Sequence, residues 1–222
     1  MGENPIIPMS KEKCIAFFKE LKYGDIPFVI TDDITAQIIE WGSENNESID
    51  TNGFVSFLHP AHAFRYMGLG RGATVEADPK GTQWHLIEEY MDRVINGTVR
   101  LVVFRHPDLT VEEFEYIKAE AERQIKKPYG WGAIIGCGLV KLFRDTFIGK
   151  WWRDAKWQAP WCSRDAPYCS QGVMLQERNV KRFFELFKDE DWTYDTPQAL
   201  LNIFVRKGLT MALDSFEWAK RA

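Results

Sequence analysis

The stretch Ala166-Pro167-Tyr168-Cys169-Ser170-Gln171-Gly172-Val173 places a cysteine at the point where a turn gives way to a helix. Proline favours the turn, and the apolar residues that follow it can continue as a helix. A thiol at a helix start lies among unpaired backbone N–H groups and near the positive end of the helix dipole. This environment lowers the pKa of a cysteine and favours the reactive thiolate. Cys169 is therefore the candidate nucleophile.

A reactive thiol needs a base, and His62 is the histidine that stands out. The sequence predicts a short strand over residues 61–67, a hairpin turn over 69–72 and a return strand over 73–77 that carries Glu76. Side chains on one face of adjacent antiparallel strands lie within about 5 Å of each other. We therefore expect Glu76 to hold the His62 imidazole in one tautomer and to stabilise its charged form. A cysteine with a histidine is the minimum for nucleophilic acyl chemistry.

Other residues compete for these roles. Cys162 has the same Cys-Ser pair, but the residues after it do not continue as a helix. His59 can replace His62 as the base if the strand register differs from the predicted one. A solvent-facing strand carboxylate remains the alternative interpretation of Glu76. His85 and His106 are assigned to surface or turn positions.

The remaining pattern alternates helices and strands along one chain. Apolar spacing predicts helices over residues 10–21 with Ser10 as N-cap, 34–41, 111–125, 134–147, 169–174 and 180–188, and in the tail after residue 197. Strands or extended segments are predicted over residues 24–30, 54–58 and 99–104. The cluster of Phe183, Phe184, Leu186 and Phe187 is assigned to the core.

Composition bounds the class of protein. The chain has 222 residues of which 45% are hydrophobic, which is enough for one core, and we expect a single domain over residues 1–222. The net charge of −4 contains no block of like charges, which argues against a nucleic-acid partner. The four cysteines form no C-x-x-C element, so neither zinc nor a disulfide framework is expected.

The sequence also bears on the location of the protein. No apolar run approaches the roughly 18 residues of a membrane span. Residues 1–23 contain Lys and Glu throughout and do not resemble a signal peptide. The expectation is a cytoplasmic protein without a transmembrane segment, with association with a phage or virus as the alternative. The oligomeric state is left open.

Six short motifs in a fixed order resemble those of a known superfamily. They are Gly24-Asp25-Ile26, Ala61-His62, Val75-Glu76-Ala77, Lys127-Pro128-Tyr129, Tyr168-Cys169-Ser170 and Thr196-Pro197. Together they resemble the circularly permuted papain-like superfamily of NlpC/P60 relatives, in particular its YiiX/YebB-like (YaeF-like) cysteine amidase group. The resemblance covers residues from about 24 to 200.

The resemblance implies an α+β fold in permuted papain order, with an antiparallel sheet packed against helices. It implies a cysteine hydrolase with Cys169 as nucleophile, His62 as base and Glu76 as the orienting third member. The substrate class would be a peptide or small molecule with an amide bond, such as a cell-wall peptide or an amino-acyl conjugate, cleaved through a thioester without a metal or organic cofactor. The substrate-binding residues assigned on this basis are Tyr168, Ser170, Tyr129 and Trp161.

Two departures from the family pattern leave alternatives open. The family's histidine strand is apolar after the histidine, whereas this chain has Phe64-Arg65-Tyr66, with Arg65 taken to face solvent. The Trp-rich segment 149–161 is long for the family, and it either lines a substrate groove or seals the edge of the core. One alternative function is a lipid-directed acyltransferase or thioesterase on the same fold. Another is a catalytically silent binding or structural module.

Overall fold

The computed structural model describes residues 6–31, 60–68, 72–131, 165–188 and 197–221. Within these residues the elements are α1 (Lys11–Lys19), β1 (Ile26–Ile30), β2 (His62–Ala63), β3 (Arg65–Tyr66), β4 (Ala73–Asp78), β5 (Gly81–Leu86), α2 (Glu88–Ile95), β6 (Arg100–Arg105), α3 (Val111–Gln124), α4 (Cys169–Arg178), α5 (Lys181–Phe187), α6 (Pro197–Arg206), β7 (Thr210–Asp214) and α7 (Ser215–Lys220). The predicted elements over 34–41, 54–58 and 134–147, most of the 69–72 turn, and the Trp-rich segment lie outside the described residues.

The larger sheet has the strand order β2-β1-β6-β7 and is antiparallel throughout. Its central strand β1 is buried along its whole length, because helices cover both faces. Phe28 and the residues on its face pack against α4, α5 and α6, whereas Val29 on the opposite face packs against α1 and α2. The alternation of side chains along the strand thus places two apolar clusters on the two sides of one sheet.

The strand predicted over residues 61–67 is interrupted, and this corrects the sequence interpretation. Its first part, β2, pairs with β1, whereas its second part, β3, pairs with β4 in a second sheet of order β3-β4-β5. Phe64 lies between the two parts and is fully buried in the core. The chain passes from one sheet to the other at this residue, so β4 does not pair with the strand that carries His62.

Local signals identified several helix starts. Ser10 caps α1 by accepting the Lys13 N–H, and Thr110 with Glu113 forms a capping box at the start of α3. The predicted helices over 10–21, 111–125, 169–174 and 180–188 and the strands β1, β4 and β6 are confirmed.

Other elements differ from the expectation. The strand β5 and the helix α2 were not predicted, and the tail after residue 197 contains the strand β7 between two helices. Phe183 and Phe187 are buried in the core and Leu186 packs partly against it, whereas Phe184 on the outer side of α5 is 42% exposed. The architecture is α+β, with antiparallel sheets packed against helices. None of the helices in the described parts of the chain is long and apolar enough to cross a membrane.

Candidate functional site

Cys169 is the first residue of α4, as the sequence predicts. Its neighbour Tyr168 has an extended backbone and forms the N-cap, so the thiol lies at the positive end of the helix. The side chain is 4% exposed. The backbone N–H groups of Ser170 and Ala63 donate hydrogen bonds to its sulfur.

The backbone N–H of Ala63 comes from the edge of the larger sheet. The strand β2 lies at that edge, and its flanking residues Ala61 and Phe64 donate their N–H groups to β1. The N–H of Ala63 is instead directed to the thiol. An edge strand has backbone donors that no neighbouring strand uses, and here one of them binds the sulfur.

His62 joins the thiol to a buried carboxylate. It forms a side-chain hydrogen bond with Cys169, and its Nε2 atom lies 3.1 Å from Oε2 of Glu76. Because Nε2 is engaged by the carboxylate, Nδ1 is the ring nitrogen that remains for the sulfur. The imidazole is 21% exposed, whereas the carboxylate is 4% exposed. The structure therefore brings all three predicted catalytic residues together, although β2 and β4 belong to different sheets.

Two hydroxyl groups hold the Glu76 carboxylate. Thr74 donates to Oε1 at 2.7 Å, and Tyr90 donates to Oε2 at 2.7 Å. Burial raises the pKa of Glu76, but hydrogen bonds from His62, Thr74 and Tyr90 together with the charge of His62 outweigh it and lower the pKa. The carboxylate therefore remains ionised and oriented.

Sequence reasoning missed both hydroxyl donors. Thr74 precedes Glu76 by two residues on β4 and shares its face of the sheet, so the strand period could have indicated it. Tyr90 lies on the unpredicted helix α2, where Tyr90 and Val94 form a buried pair at helical spacing. That spacing was the available signal.

The pKa shifts of the thiol and the imidazole favour an ion pair. Burial acts to lower the pKa of His62, but its hydrogen bonds with Cys169 and Glu76 raise that pKa to about 10. Burial acts to raise the pKa of Cys169, but the hydrogen bond with His62, the charge on its ring and the two backbone donors lower it. Both shifts stabilise thiolate with imidazolium, which is the arrangement of an activated cysteine.

Tyr129 is the predicted substrate-binding residue that lies beside the thiol. Its side chain is hydrogen bonded to Cys169, and burial together with the nearby sulfur raises the pKa of its hydroxyl. The phenol therefore keeps its proton and can donate it in a hydrogen bond. Trp131 packs edge-on against the Tyr129 ring at 5.2 Å between centroids and is 50% exposed.

A close backbone contact holds the Tyr129 segment against the start of α4. The N–H of Gly130 bonds to the carbonyl of Pro167 at 3.3 Å. A Cβ atom at position 130 would lie 2.4 Å from the carbonyl oxygen of Ala166, so only glycine permits this approach.

The other predicted site residues are distributed differently. Ser170 and Tyr168 have buried side chains, and Ser170 reaches the thiol through its backbone N–H. Trp161, like the competing residues Cys162 and His59, lies outside the described residues.

Two of the surface assignments are wrong. Arg65 is fully buried and His106 is 5% exposed. Both side chains bind the Glu177 carboxylate, which is itself fully buried in α4. A buried charge needs a partner, and Glu177 is that partner. His85 is partly buried between Asp78 and Glu89.

Among the described residues no group of three or more His, Cys, Asp or Glu side chains is arranged to hold a metal ion. Comparison with protein-family models, with curated proteins and with solved structures gives no match.

Proposed function

We propose that this protein is a cysteine-dependent hydrolase that cleaves an amide bond through a thioester intermediate. The observation that carries the proposal is the hydrogen-bonded series from Cys169 through His62 to Glu76. A thiol at a helix start, a base bonded to it and a carboxylate that orients the base form the triad of nucleophilic acyl transfer.

In the first half of the reaction the Cys169 thiolate attacks the carbonyl carbon of the substrate. A C–S bond forms, and the π electrons of the carbonyl move to its oxygen. The Tyr129 hydroxyl and the backbone N–H of Cys169 are the donors proposed for this oxyanion, an effect worth about 2.7–4 kcal/mol per donor in a comparable hydrolase. The tetrahedral intermediate then collapses, the C–N bond breaks, and His62 gives its Nδ1 proton to the leaving amine.

In the second half His62 is neutral and acts as a base. It accepts a proton from water, whose oxygen attacks the thioester carbon. The C–S bond breaks, the acid product leaves, and the thiolate with its imidazolium is restored. Glu76 keeps its charge throughout, because three hydrogen bonds hold it ionised.

The proposed fold is the circularly permuted papain-like one. It is supported by the order of the site elements along the chain: the histidine strand β2 comes first, the carboxylate strand β4 follows, and the nucleophile helix α4 comes late. The packing of α4 on the antiparallel sheets is consistent with that order. The proposal of an amide substrate rests on the resemblance of the six sequence motifs to those of the superfamily.

Alkylation tests the proposal without knowledge of the substrate. Limiting iodoacetamide is applied across about pH 5 to 9, and labelled cysteines are mapped by mass spectrometry in wild type and in His62→Ala. We expect rapid labelling of Cys169 at acidic pH, well below the ordinary cysteine pKa of about 8.5, and its loss in the variant. Cys14 serves as an internal reference, because burial raises the pKa of its thiol to about 11.

Amide cleavage is then measured with a library of peptidyl and amino-acyl anilides. We expect release of the aniline and an acyl group on Cys169, both abolished in His62→Ala and both retained in the control Cys14→Ala. Labelling of Cys169 that is no faster than that of Cys14 and is indifferent to His62→Ala would show the catalytic proposal to be wrong. A catalytically silent module is the interpretation that such a result would favour.

A further inference from the structure

A buried arginine links the histidine segment to the nucleophile helix. Arg65 follows His62 by three residues and is fully buried, and each of its three guanidinium nitrogens donates a hydrogen bond. Its Nη1 donates to the carbonyl of Gly24 at 2.8 Å, its Nε to Oε1 of Gln176 at 3.3 Å, and its Nη2 to a carboxylate oxygen of Glu177. Two of these three acceptors lie on α4.

The uncharged arm of this network continues toward the thiol. Gln176 donates to Oε1 of Gln124 on α3 at 3.1 Å, and Gln124 donates to the carbonyl of Gly172 at 3.3 Å. Gly172 lies one turn after Cys169 on α4. The amide series therefore contacts α4 near both of its ends.

The charged arm extends to the end of another strand. His106, directly after β6, places its Nε2 atom 2.8 Å from the second oxygen of Glu177. Burial raises the pKa of Glu177, but the charges of Arg65 and His106 outweigh it and lower that pKa to about 2. The ring of His106 stacks on Phe183 of α5 at 3.9 Å between centroids. Glu177 thus joins α4 to both sheets.

We propose that Arg65 is a positioning residue, which fixes the nucleophile helix α4 against the strand segment that carries His62. This inference rests on the proposed function of Cys169. Glu177 lies eight residues after the thiol, about 12 Å along the helix. A helix is stiff over that length, so a rotation or slide at its far end moves the sulfur.

The fact that Arg65 and Glu177 form a buried ion pair favours a role in positioning α4 over a role in stabilising the fold. The desolvation cost of two buried charges often cancels their attraction, and apolar residues of similar volume can replace such a pair without loss of stability. An apolar contact is not directional, so it tolerates small displacements of one element along another. A planar guanidinium that is hydrogen bonded to several acceptors does not tolerate them. A displacement of about 1 Å in a catalytic pair can cost about 10²-fold in rate.

The test is the double variant Arg65→Met/Glu177→Gln, which removes the ion pair and leaves His106 an amide oxygen as acceptor. We expect a folded protein in which alkylation of Cys169 at about pH 6 is roughly 10- to 100-fold slower than in wild type. We also expect its pH profile to move toward that of an ordinary cysteine. Anilide hydrolysis should lose kcat with little change in KM.

The chain provides a matched control. Arg100 and Asp214 form a second buried ion pair between β6 and β7, and this one is bidentate, with distances of 3.0 and 2.6 Å. The variant Arg100→Met/Asp214→Asn removes this pair without touching α4 or β2. Both double variants are compared at a temperature where circular dichroism shows them folded. We expect the control to keep the wild-type alkylation profile.

The positioning role would be overturned if Arg65→Met/Glu177→Gln kept the wild-type alkylation profile of Cys169. It would also be overturned if the control double variant lost as much of the alkylation rate. If the double variant does not fold, Gln124→Met removes the uncharged arm instead, and we expect a smaller slowing of Cys169 alkylation. An unchanged rate in that variant would equally count against the inference. Wild-type protein whose Cys169 is not activated would refute the proposed function itself, which distinguishes the two failures.

Discussion

Replacement of Glu76 by glutamine removes the charge beside His62 and almost nothing else. An amide has the shape of a carboxylate, and its oxygen can take the place that accepts from His62 and Tyr90. The Thr74 hydroxyl can then rotate to accept from the new NH₂ group, because a hydroxyl both donates and accepts. The variant is therefore expected to fold with its polar groups satisfied, so the effect on the imidazole can be measured by itself.

The magnitude follows from the distance between the two charges. Nε2 and Oε2 are 3.1 Å apart, and one of the groups is 4% exposed. At an effective dielectric constant of about 20, unit charges at this distance attract by about 5 kcal/mol, which corresponds to about four pKa units. The pKa of His62, about 10 in the native protein, should therefore fall toward its ordinary value of about 6.5, and the part of the shift that comes from Cys169 should remain.

The sign of the pH dependence is fixed by the direction of this shift. A raised imidazole pKa stabilises the folded protein fully below about pH 6.5, and the contribution is lost as the pH rises to about 10. In Glu76→Gln this decline of the free energy of unfolding should become smaller and should end at a lower pH, because only the contribution of Cys169 still raises the pKa of His62. Urea unfolding at a series of pH values measures it.

Alkylation gives the kinetic counterpart. Without a stable imidazolium the thiolate of Cys169 loses its counter-charge, so labelling at about pH 6 should slow in Glu76→Gln and its midpoint should move up toward the ordinary thiol value of about 8.5. Asp78→Asn, which neutralises a neighbouring carboxylate on β4, is the control and should leave the profile close to that of wild type. A His62 titration and an alkylation profile both unchanged in Glu76→Gln would refute the role assigned to the carboxylate.

Further outcomes follow from the same site. Tyr90→Phe and Thr74→Val each remove one donor from the charged Glu76, and each should lower the free energy of unfolding by about 1.5–3 kcal/mol in urea titration; no loss in either would contradict the hydrogen bonds. Tyr129→Phe should lower kcat about 10²- to 10³-fold with little change in KM if the phenol stabilises the oxyanion, whereas a rise in KM alone would assign it to ground-state binding. Gly130→Ala should lower both the melting temperature and kcat, because its Cβ would lie 2.4 Å from a carbonyl oxygen; wild-type values would show that the two backbone segments can separate.

The parts of the site that sequence reasoning predicted are those with local signals. Cys169 was identified by the proline turn before it and the helical spacing after it, and the structure places it at a helix start. Glu76 was identified by its place on the return strand of a predicted hairpin; the strand itself is confirmed, but it pairs with β3 and not with the part of the chain that carries His62. Such signals involve neighbours within a few residues, and they survive without knowledge of the tertiary structure.

The parts that were missed depend on contacts between distant segments. Arg65 was assigned to solvent because a charged residue in a strand usually faces water. Its ion-pair partner Glu177 is 112 residues away in the chain, and no local pattern connects the two. The same holds for His106, whose partner is 71 residues away. A buried charge is visible in a sequence only when its partner is known.

The interruption of the histidine strand at Phe64 changes how the distance between His62 and Glu76 is maintained. Had β2 and β4 been neighbours, their backbone hydrogen bonds would have fixed that distance. They lie in different sheets, so it depends on the packing at the point where the chain passes between them. Phe64 stacks on Tyr90 at 4.8 Å and lies 5.9 Å from the His62 ring, and the hydroxyl of Tyr90 binds Glu76. Phe64 therefore packs against His62 and against Tyr90, the residue that binds Glu76, so Tyr90→Phe should spare the geometry of the pair while Tyr90→Ala should disrupt it.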